Sequence, residues 1–274
     1  MNVKAGFAVL ACALAVPAYA EDCTHSTHRT ANSAGPDIAR VVVEAGAGDL
    51  VVRGGDSRDV KVDGKACAST AALLEDIKLE IRREGDTVYV RTVLPDLSSG
   101  LFGLRYAYLD VTVDVPKTAS VKVDDSSGDM RVSDVHGAQI TDSSGDQTLE
   151  RIAGDLDVAD SSGEIRISEV TGSLKLRDSS GDVDVKTVQG DVLVTVDTSG
   201  DMDISHVTGG VHIVSDSSGD IEIADVKRDV TIDDDSSGGI DVRDVGGNFT
   251  VGNDGSGGIH YDRVAGTVHV PSDD

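Results

Sequence analysis

The chain has 274 residues, with 49 acidic against 24 basic side chains, a net charge of −25, no tryptophan and only 3% aromatic residues. That balance argues against binding nucleic acid or anionic lipid surfaces, both of which call for a positive face. It also weakens any aromatic platform for bases or sugars, while leaving room for divalent cations or cationic partners.

The first residues follow the pattern of a secretory leader. Lys4 precedes the apolar run 5–16, and Ala18-Tyr19-Ala20 offers a small-x-small cleavage site before Glu21 and Asp22. A lipoprotein cut before Cys12 is the competing reading, which Leu10 fits poorly. The run is too short to stay as a membrane anchor, and no second long apolar run or wall-sorting motif follows. The expectation is a signal peptide over 1–20 and an exported chain that is periplasmic, held in the cell envelope or secreted. Loss of Lys4 makes the mature chain one charge more negative.

Cys12 leaves with the leader, so Cys23 and Cys67 remain, and two cysteines in an exported chain usually pair. A bridge closing that loop stabilises by at most about 4 kcal/mol in a chain-entropy model. Cys23, His25 and His28 also make a compact soft-ligand set for zinc or copper, against the plainer reading of a half-cystine beside two solvated histidines.

Residues 21–38 are polar and are expected to be a flexible leader. A β region and cap over 39–124 follows. Arg40–Glu44, Leu50–Val52 and Asp59–Val62 alternate as strands, and Ser69 could cap a helical turn ending near Asp76. Ile77–Ile81 and Thr87–Val90 alternate strictly around a Glu84-Gly85-Asp86 hairpin turn. The stretch 95–108 is a loop carrying Leu101, Phe102, Leu104, Tyr106 and Tyr108, which either covers the open end of the core or contacts a partner. A strand from Leu109 stops at Pro116, and Ser120–Asp124 leads into the regular part, 125–274.

There the chain repeats. Marker glycines fall at Gly128, Gly145, Gly163, Gly181, Gly200, Gly219, Gly238 and Gly257, at intervals of 17 to 19 residues, four of them within Asp-Ser-Ser-Gly-Asp and all of them after a serine. A period this short denotes a solenoid whose coils bury their apolar faces only against one another. Counted from each glycine, apolar residues fall at +2, +4, +7, +11 and +13, as in Val183, Val185, Val188, Val192 and Val194. A second glycine near +9 (Gly172, Gly190, Gly209, Gly247, Gly266) marks another corner, replaced by Lys227-Arg228 in one coil. The fold expected is all-β: a single-stranded parallel β-helix of about eight coils spaced ~4.8 Å apart. It is expected to be right-handed, since parallel crossovers nearly always are.

The opening Gly48-Asp49-Leu50-Val51-Val52, the segment Val113-Asp114-Val115-Pro116-Lys117 and the serial Ser-Gly-Asp-x-x-Val repeats resemble the bacterial putative-adhesin family of unknown function, from Val41 to the C-terminus. The resemblance implies an exported β-solenoid. The family has no agreed catalytic residues, so none is carried over.

The acidic columns are the main candidate for chemistry. Three residues before each marker stands an aspartate: Asp125, Asp142, Asp160, Asp178, Asp197, Asp216, Asp235 and Asp254. The residue after the glycine is acidic in six coils, at Asp129, Asp146, Glu164, Asp182, Asp201 and Asp220. Two such columns repel, by about 0.9 kcal/mol per neighbouring pair in water. Either each leading aspartate accepts hydrogen bonds from its own turn, or the column, with Asp142, Asp160, Asp178, Asp197, Asp216 and Asp235 as candidate ligands, gathers Ca²⁺. The repeat is not the Gly-Gly-x-Gly-x-Asp nonapeptide of calcium-binding rolls. His136, His206, His212, His260 and His269 form no column.

An enzyme acting on acidic polysaccharide is a third reading. It needs irregular loops that build a cleft, whereas the coils carry almost no insertions and no acid pair is singled out. No nucleophile elbow or phosphate loop occurs. The sequence therefore favours an exported, non-enzymatic acidic solenoid that serves as an envelope scaffold or interaction module. It is expected to have no catalytic residues, no resident cofactor and no membrane anchor, with an unnamed envelope or surface component as partner.

Overall fold

The computed structural model describes residues 23–35, 37–97 and 105–271. The expected signal peptide and Leu101, Phe102 and Leu104 of the apolar loop lie outside them.

The N-terminal part contains β1 (His25–Ser33), β2 (Arg40–Glu44), β3 (Leu50–Gly55), β4 (Val60–Ala68), α1 (Ala71–Asp76), β5 (Lys78–Glu84), β6 (Thr87–Val93), β7 (Ala107–Pro116) and β8 (Ser120–Asp124). From there two series of strands alternate along the chain. One is β9 (Met130–Ser133), β11 (Gln147–Ile152), β13 (Ile165–Val170), β15 (Val183–Val188), β17 (Met202–Val207), β19 (Ile221–Val226), β21 (Ile240–Val245) and β23 (Ile259–Val264). The other is β10 (Ala138–Thr141), β12 (Leu156–Ala159), β14 (Leu174–Arg177), β16 (Val192–Val196), β18 (Val211–Ile213), β20 (Val230–Asp235), β22 (Phe249–Asp254) and β24 (Val268–His269).

Each series builds one parallel sheet, and each sheet holds twelve strands among the described residues. The first runs β1-β4-β7-β3-β9 and on through the odd strands to β23; the second runs from β5 through β6, β2 and β8 to β24. The chain passes from one sheet to the other at every corner, so the molecule is a parallel β-solenoid of about eight turns. Among the described residues only β1–β4, β4–β7 and β5–β6 pair antiparallel, and they sit at the N-terminal end of the two sheets.

The inward register follows the apolar spacing. Val183, Val185, Val188, Val192 and Val194 are at most 1% exposed, and their counterparts stack on them in the neighbouring coils. β-Branched side chains suit these columns because they pack well on a pleated surface. The odd step from +4 to +7 has a local cause. The residue at +6 is left-handed in every coil: Asp134, Arg151, Glu169, Thr187, His206, Asp225, Asp244 and Arg263 have φ between 53° and 64°. The ladder skips it, pairing Ser168 with Lys186 and Val170 with Val188, so +4 and +7 both face inward. A β-branched residue tolerates this conformation poorly, and asparagine tolerates it well. Thr187→Asn is therefore expected to raise stability by about 1 kcal/mol, seen as a melting temperature higher by roughly 2–4 °C.

Gly48 does open a coil like the later ones. Leu50 pairs with Met130, and Ala47 bridges to Ser127. The hairpin at Gly85 also forms as expected, with Glu84 opposite Thr87.

Two local expectations change. Residues 25–33 are β1 rather than a flexible leader, paired along their whole length with β4, from His25 opposite Ala68 to Ser33 opposite Val60. Its alternate side chains are half-buried and Ala31 packs against the core. The helical turn is capped by Thr70, not Ser69: the Thr70 hydroxyl accepts from the Leu73 amide at 3.2 Å, while the Ser69 hydroxyl accepts from the Tyr106 amide.

Cys23 and Cys67 form a disulfide with their Cα atoms 5.7 Å apart, fastening β1 to β4. His25 and His28 stand on opposite faces of β1, one half-buried and the other exposed, so they do not converge with Cys23 on a metal. Alkylation of the mature protein without reductant is expected to add no label. Two added labels would show that the bridge does not form.

Candidate functional site

The repeated Asp-Ser-Ser-Gly-Asp corner resolves into four ladders, each running from coil to coil. The glycine ladder is set by closeness as well as by φ. Gly181 has φ +132°, and a Cβ built on it would lie 1.8 Å from the carbonyl oxygen of Gly163. The same approach recurs at the other markers, so no side chain fits.

The serine before the glycine donates its hydroxyl to the carbonyl of the serine or threonine one coil earlier: Ser144 to Ser126, Ser162 to Ser143, Ser180 to Ser161 and Ser218 to Thr198, at 3.1–3.2 Å. The acid after the glycine faces out and accepts the backbone amide of its counterpart in the next coil. Asp129 accepts from the amide of Asp146, Asp146 from that of Glu164, Asp182 from that of Asp201, Asp201 from that of Asp220, and Asp220 from that of Gly239, at 2.8–3.2 Å. Those carboxylates therefore stitch coils together, and the repulsion along their column is offset by bonds to N–H groups. The second corner uses the same device, with Asp155, Asp191 and Asp229 accepting from the amides of Ser173, Gly210 and Asn248.

The leading aspartates form the fourth ladder, and they point inward. Asp125, Asp142, Asp160, Asp178, Asp197, Asp216 and Asp235 are 0–5% exposed. All six candidate ligands, Asp142, Asp160, Asp178, Asp197, Asp216 and Asp235, thus lie in one column. Asp125, Asp142 and Asp178 accept the amide of the next residue at 2.7–2.8 Å, the turn bond expected from sequence. Asp160, Asp197, Asp216 and Asp235 leave both carboxylate oxygens without a hydrogen-bond partner; their turn amides stand near enough to favour the ionised form a little, yet outside bonding geometry. Burial raises the pKa of each of the seven, to about 6 at Asp125, Asp160 and Asp197 and to about 7 at Asp216. Among the described residues no three His, Cys, Asp or Glu side chains converge as a metal-holding group.

The burial of this column was missed from sequence, although a signal was present. Asp178 keeps the two-residue parity of Leu174 and Leu176, and Asp160 that of Leu156 and Val158. The longer coils hide it, because the ladder shifts by one residue between Leu176 and Arg177, pairing Arg177 with Val196.

Outside the corners, an open depression on the N-terminal strands is lined by Val42, Glu44, Glu80, Arg82, Tyr89 and Arg91. Its charges are engaged locally. Arg91 pairs with Glu44 at 3.5 Å, the Arg82 guanidinium lies 4.2 Å from the Tyr89 ring centre, and Arg82 also pairs with Glu84. Tyr106, at the end of the loop foreseen as cap or contact, bonds Thr24 through its hydroxyl, at 3.0 Å to the amide and 2.8 Å to the Thr24 hydroxyl. No helix among the described residues is long and apolar enough to cross a membrane.

This architecture, two parallel sheets joined by ladder-bonded corners, defines a repetitive β-solenoid with its polar motif built into the coil. The family model described as Toastrack DUF4097 matches residues 38–251, and the chain belongs to the toastrack family. No curated protein matches it in sequence. Among solved structures, a protein described as a "putative adhesin" from Parabacteroides merdae is 11% identical, with a TM-score of 0.50 over 90% of this chain and 96% of that one. A "putative adhesin" from Parabacteroides distasonis is 11% identical, with a TM-score of 0.46 over 90% and 97%. A "putative lipid binding protein" from the same species is 15% identical, with a TM-score of 0.43 over 89% and 97%. At these identities the likeness is one of fold alone.

Proposed function

We propose that this chain is an exported, non-enzymatic scaffold that presents its two lateral sheet faces to an envelope or surface component. One observation carries the reading: the corners repeat and the faces do not. The outer corner carboxylates and the serine hydroxyls bond the neighbouring coil in one coil after another, so none of them is set apart as an acid–base pair. The outward positions change from coil to coil. The outward column of the second sheet runs Gln139, Asp157, Lys175, Leu193, His212 and Thr231. Fold-imposed positions repeat and recognition positions vary, which is how solenoids build extended binding surfaces. The description of the Parabacteroides merdae protein as a "putative adhesin" agrees with this reading.

The test incubates the purified mature chain with isolated envelope fractions and, separately, with polyuronic acid. Saturable co-sedimentation with no release of reducing ends is expected. Failure to sediment, or turnover of the polymer, would overturn the proposal.

A further inference from the structure

The inward aspartates raise a problem that the rest of the coil does not share. Seven carboxyl groups stack inside the solenoid, each at most 5% exposed. The backbones of Asp197, Asp216 and Asp235 pair in register from coil to coil, and neither carboxylate oxygen of any of the three has a hydrogen-bond donor. Asp125, Asp142 and Asp178 each leave one oxygen unpartnered as well.

The charges bearing on the column are themselves acidic. Within it, Asp142 acts on Asp125, Asp142 and Asp178 on Asp160, Asp178 on Asp197, Asp197 and Asp235 on Asp216, and Asp254 on Asp235. From the turns leading into the first sheet, Asp49 and Asp182 add to it, and from β20 of the second sheet Asp234 does. No lysine, arginine or histidine is among these groups. An ionised carboxylate in such a place lacks a counter-charge, and at Asp160, Asp197, Asp216 and Asp235 it lacks a hydrogen-bonded donor as well. A proton supplies what is missing on both counts: it removes the charge, and its O–H donates to the orphaned oxygen of the next coil. The equivalent position before Gly48 is Ala45, which packs against the core, so the fold itself does not require a carboxyl there.

We propose that this ladder of inward aspartates holds protons through the mildly acid range and shares them from coil to coil, so that the solenoid is tightest there and loosens as pH rises to neutrality. The raised pKa values, about 6 at Asp125, Asp160 and Asp197 and about 7 at Asp216, agree with the geometry. Unfolded aspartates titrate near ~3.9. The folded chain therefore binds more protons than the unfolded one between that value and about 7, and stability falls as pH climbs through this window. The surface carboxylates Asp56, Asp134, Glu150 and Asp244, whose pKa values their cationic partners lower, contribute stability that is lost only at more acid pH.

The experiment compares melting temperatures of the mature protein and the Asp197→Asn/Asp216→Asn double variant from pH 5 to pH 8, in chelator. The wild type is expected to melt about 5 °C higher at pH 5 than at pH 8. The variant should melt above wild type at pH 8 and keep less than half of that slope. Parallel curves, or a wild type whose melting temperature falls on acidification, would overturn the proposal. Should the variant not fold, infrared spectra of the wild type decide: a protonated-carboxyl band at pH 6 that disappears by pH 8 supports the ladder, and its absence at pH 6 overturns it. A calcium-dependent rise in melting temperature at pH 7, seen in the wild type and lost in the variant, would also overturn it in favour of a cation column.

Discussion

Gly181→Ala is expected to abolish folding of the solenoid, or to cost well above about 4 kcal/mol. Two effects add. At φ +132° an alanine is strained wherever it sits, and its methyl would lie 1.8 Å from the Gly163 carbonyl oxygen and 2.6 Å from that carbonyl carbon. Neither atom can yield, since both belong to the backbone of the adjacent coil, which is held in the same ladder. The control is Gly85→Ala at the β5–β6 hairpin, where a Cβ meets nothing within 4 Å and only the positive φ of 62° is at stake. That change is expected to cost about 1 kcal/mol. Circular dichroism and a thermal melt of the two variants separate them. Equal, mild effects would mean that adjacent corners are not in contact.

The second large effect is at the inward columns. Ile223 is 0% exposed and stacks between Ile204 and Val242. Ile223→Asp would place a carboxylate with no partner in a dry apolar column, and is expected to prevent folding or to cost more than about 4 kcal/mol. One residue earlier, Glu222 faces outward, as its position at +3 requires. Sequence alone makes it a silent site, but the structure pairs it with Arg243 one coil on. Glu222→Lys loses that pair and sets two cations together, a change worth less than about 1 kcal/mol at the surface. A thermal melt showing equal tolerance at 222 and 223 would put the strand register wrong by one residue.

The regular half of the fold was legible because its physics repeats. A glycine column, a +2/+4/+7/+11/+13 apolar pattern and a polar turn define the coil from any one repeat, and Gly48 carries enough of the pattern to be placed beneath the first of them. The N-terminal end was less legible because its contacts are distant in sequence and polar. Residues 25–33, His-Ser-Thr-His-Arg-Thr-Ala-Asn-Ser, present no apolar face to read, and they become a strand through antiparallel pairing with β4 and the Cys23–Cys67 bridge. The antiparallel partnership of β4 with β7 spans some 40 residues and likewise leaves no local mark. At the corners, sequence gave the identity of each acidic column but not its direction. The outer acids turned out to bond the next coil, and the inner ones to lie buried. That distinction depends on strand parity carried across a one-residue lengthening, which periodicity counted from the glycine obscures.

The central claim is that corner carboxylates serve the fold while the lateral faces serve recognition. Its most direct test is quantitative binding of the mature chain to envelope fractions, comparing three folded variants with the wild type. Asp203→Lys with Asp241→Lys reverses charge on the first sheet's face, Asp157→Lys with Asp233→Lys does so on the second, and Asp178→Asn alters only a corner. At least one face variant is expected to weaken binding about tenfold or more, with Asp178→Asn indistinguishable from wild type and calcium without effect. Binding that requires calcium and is lost in Asp178→Asn, while both face variants bind normally, would contradict the account.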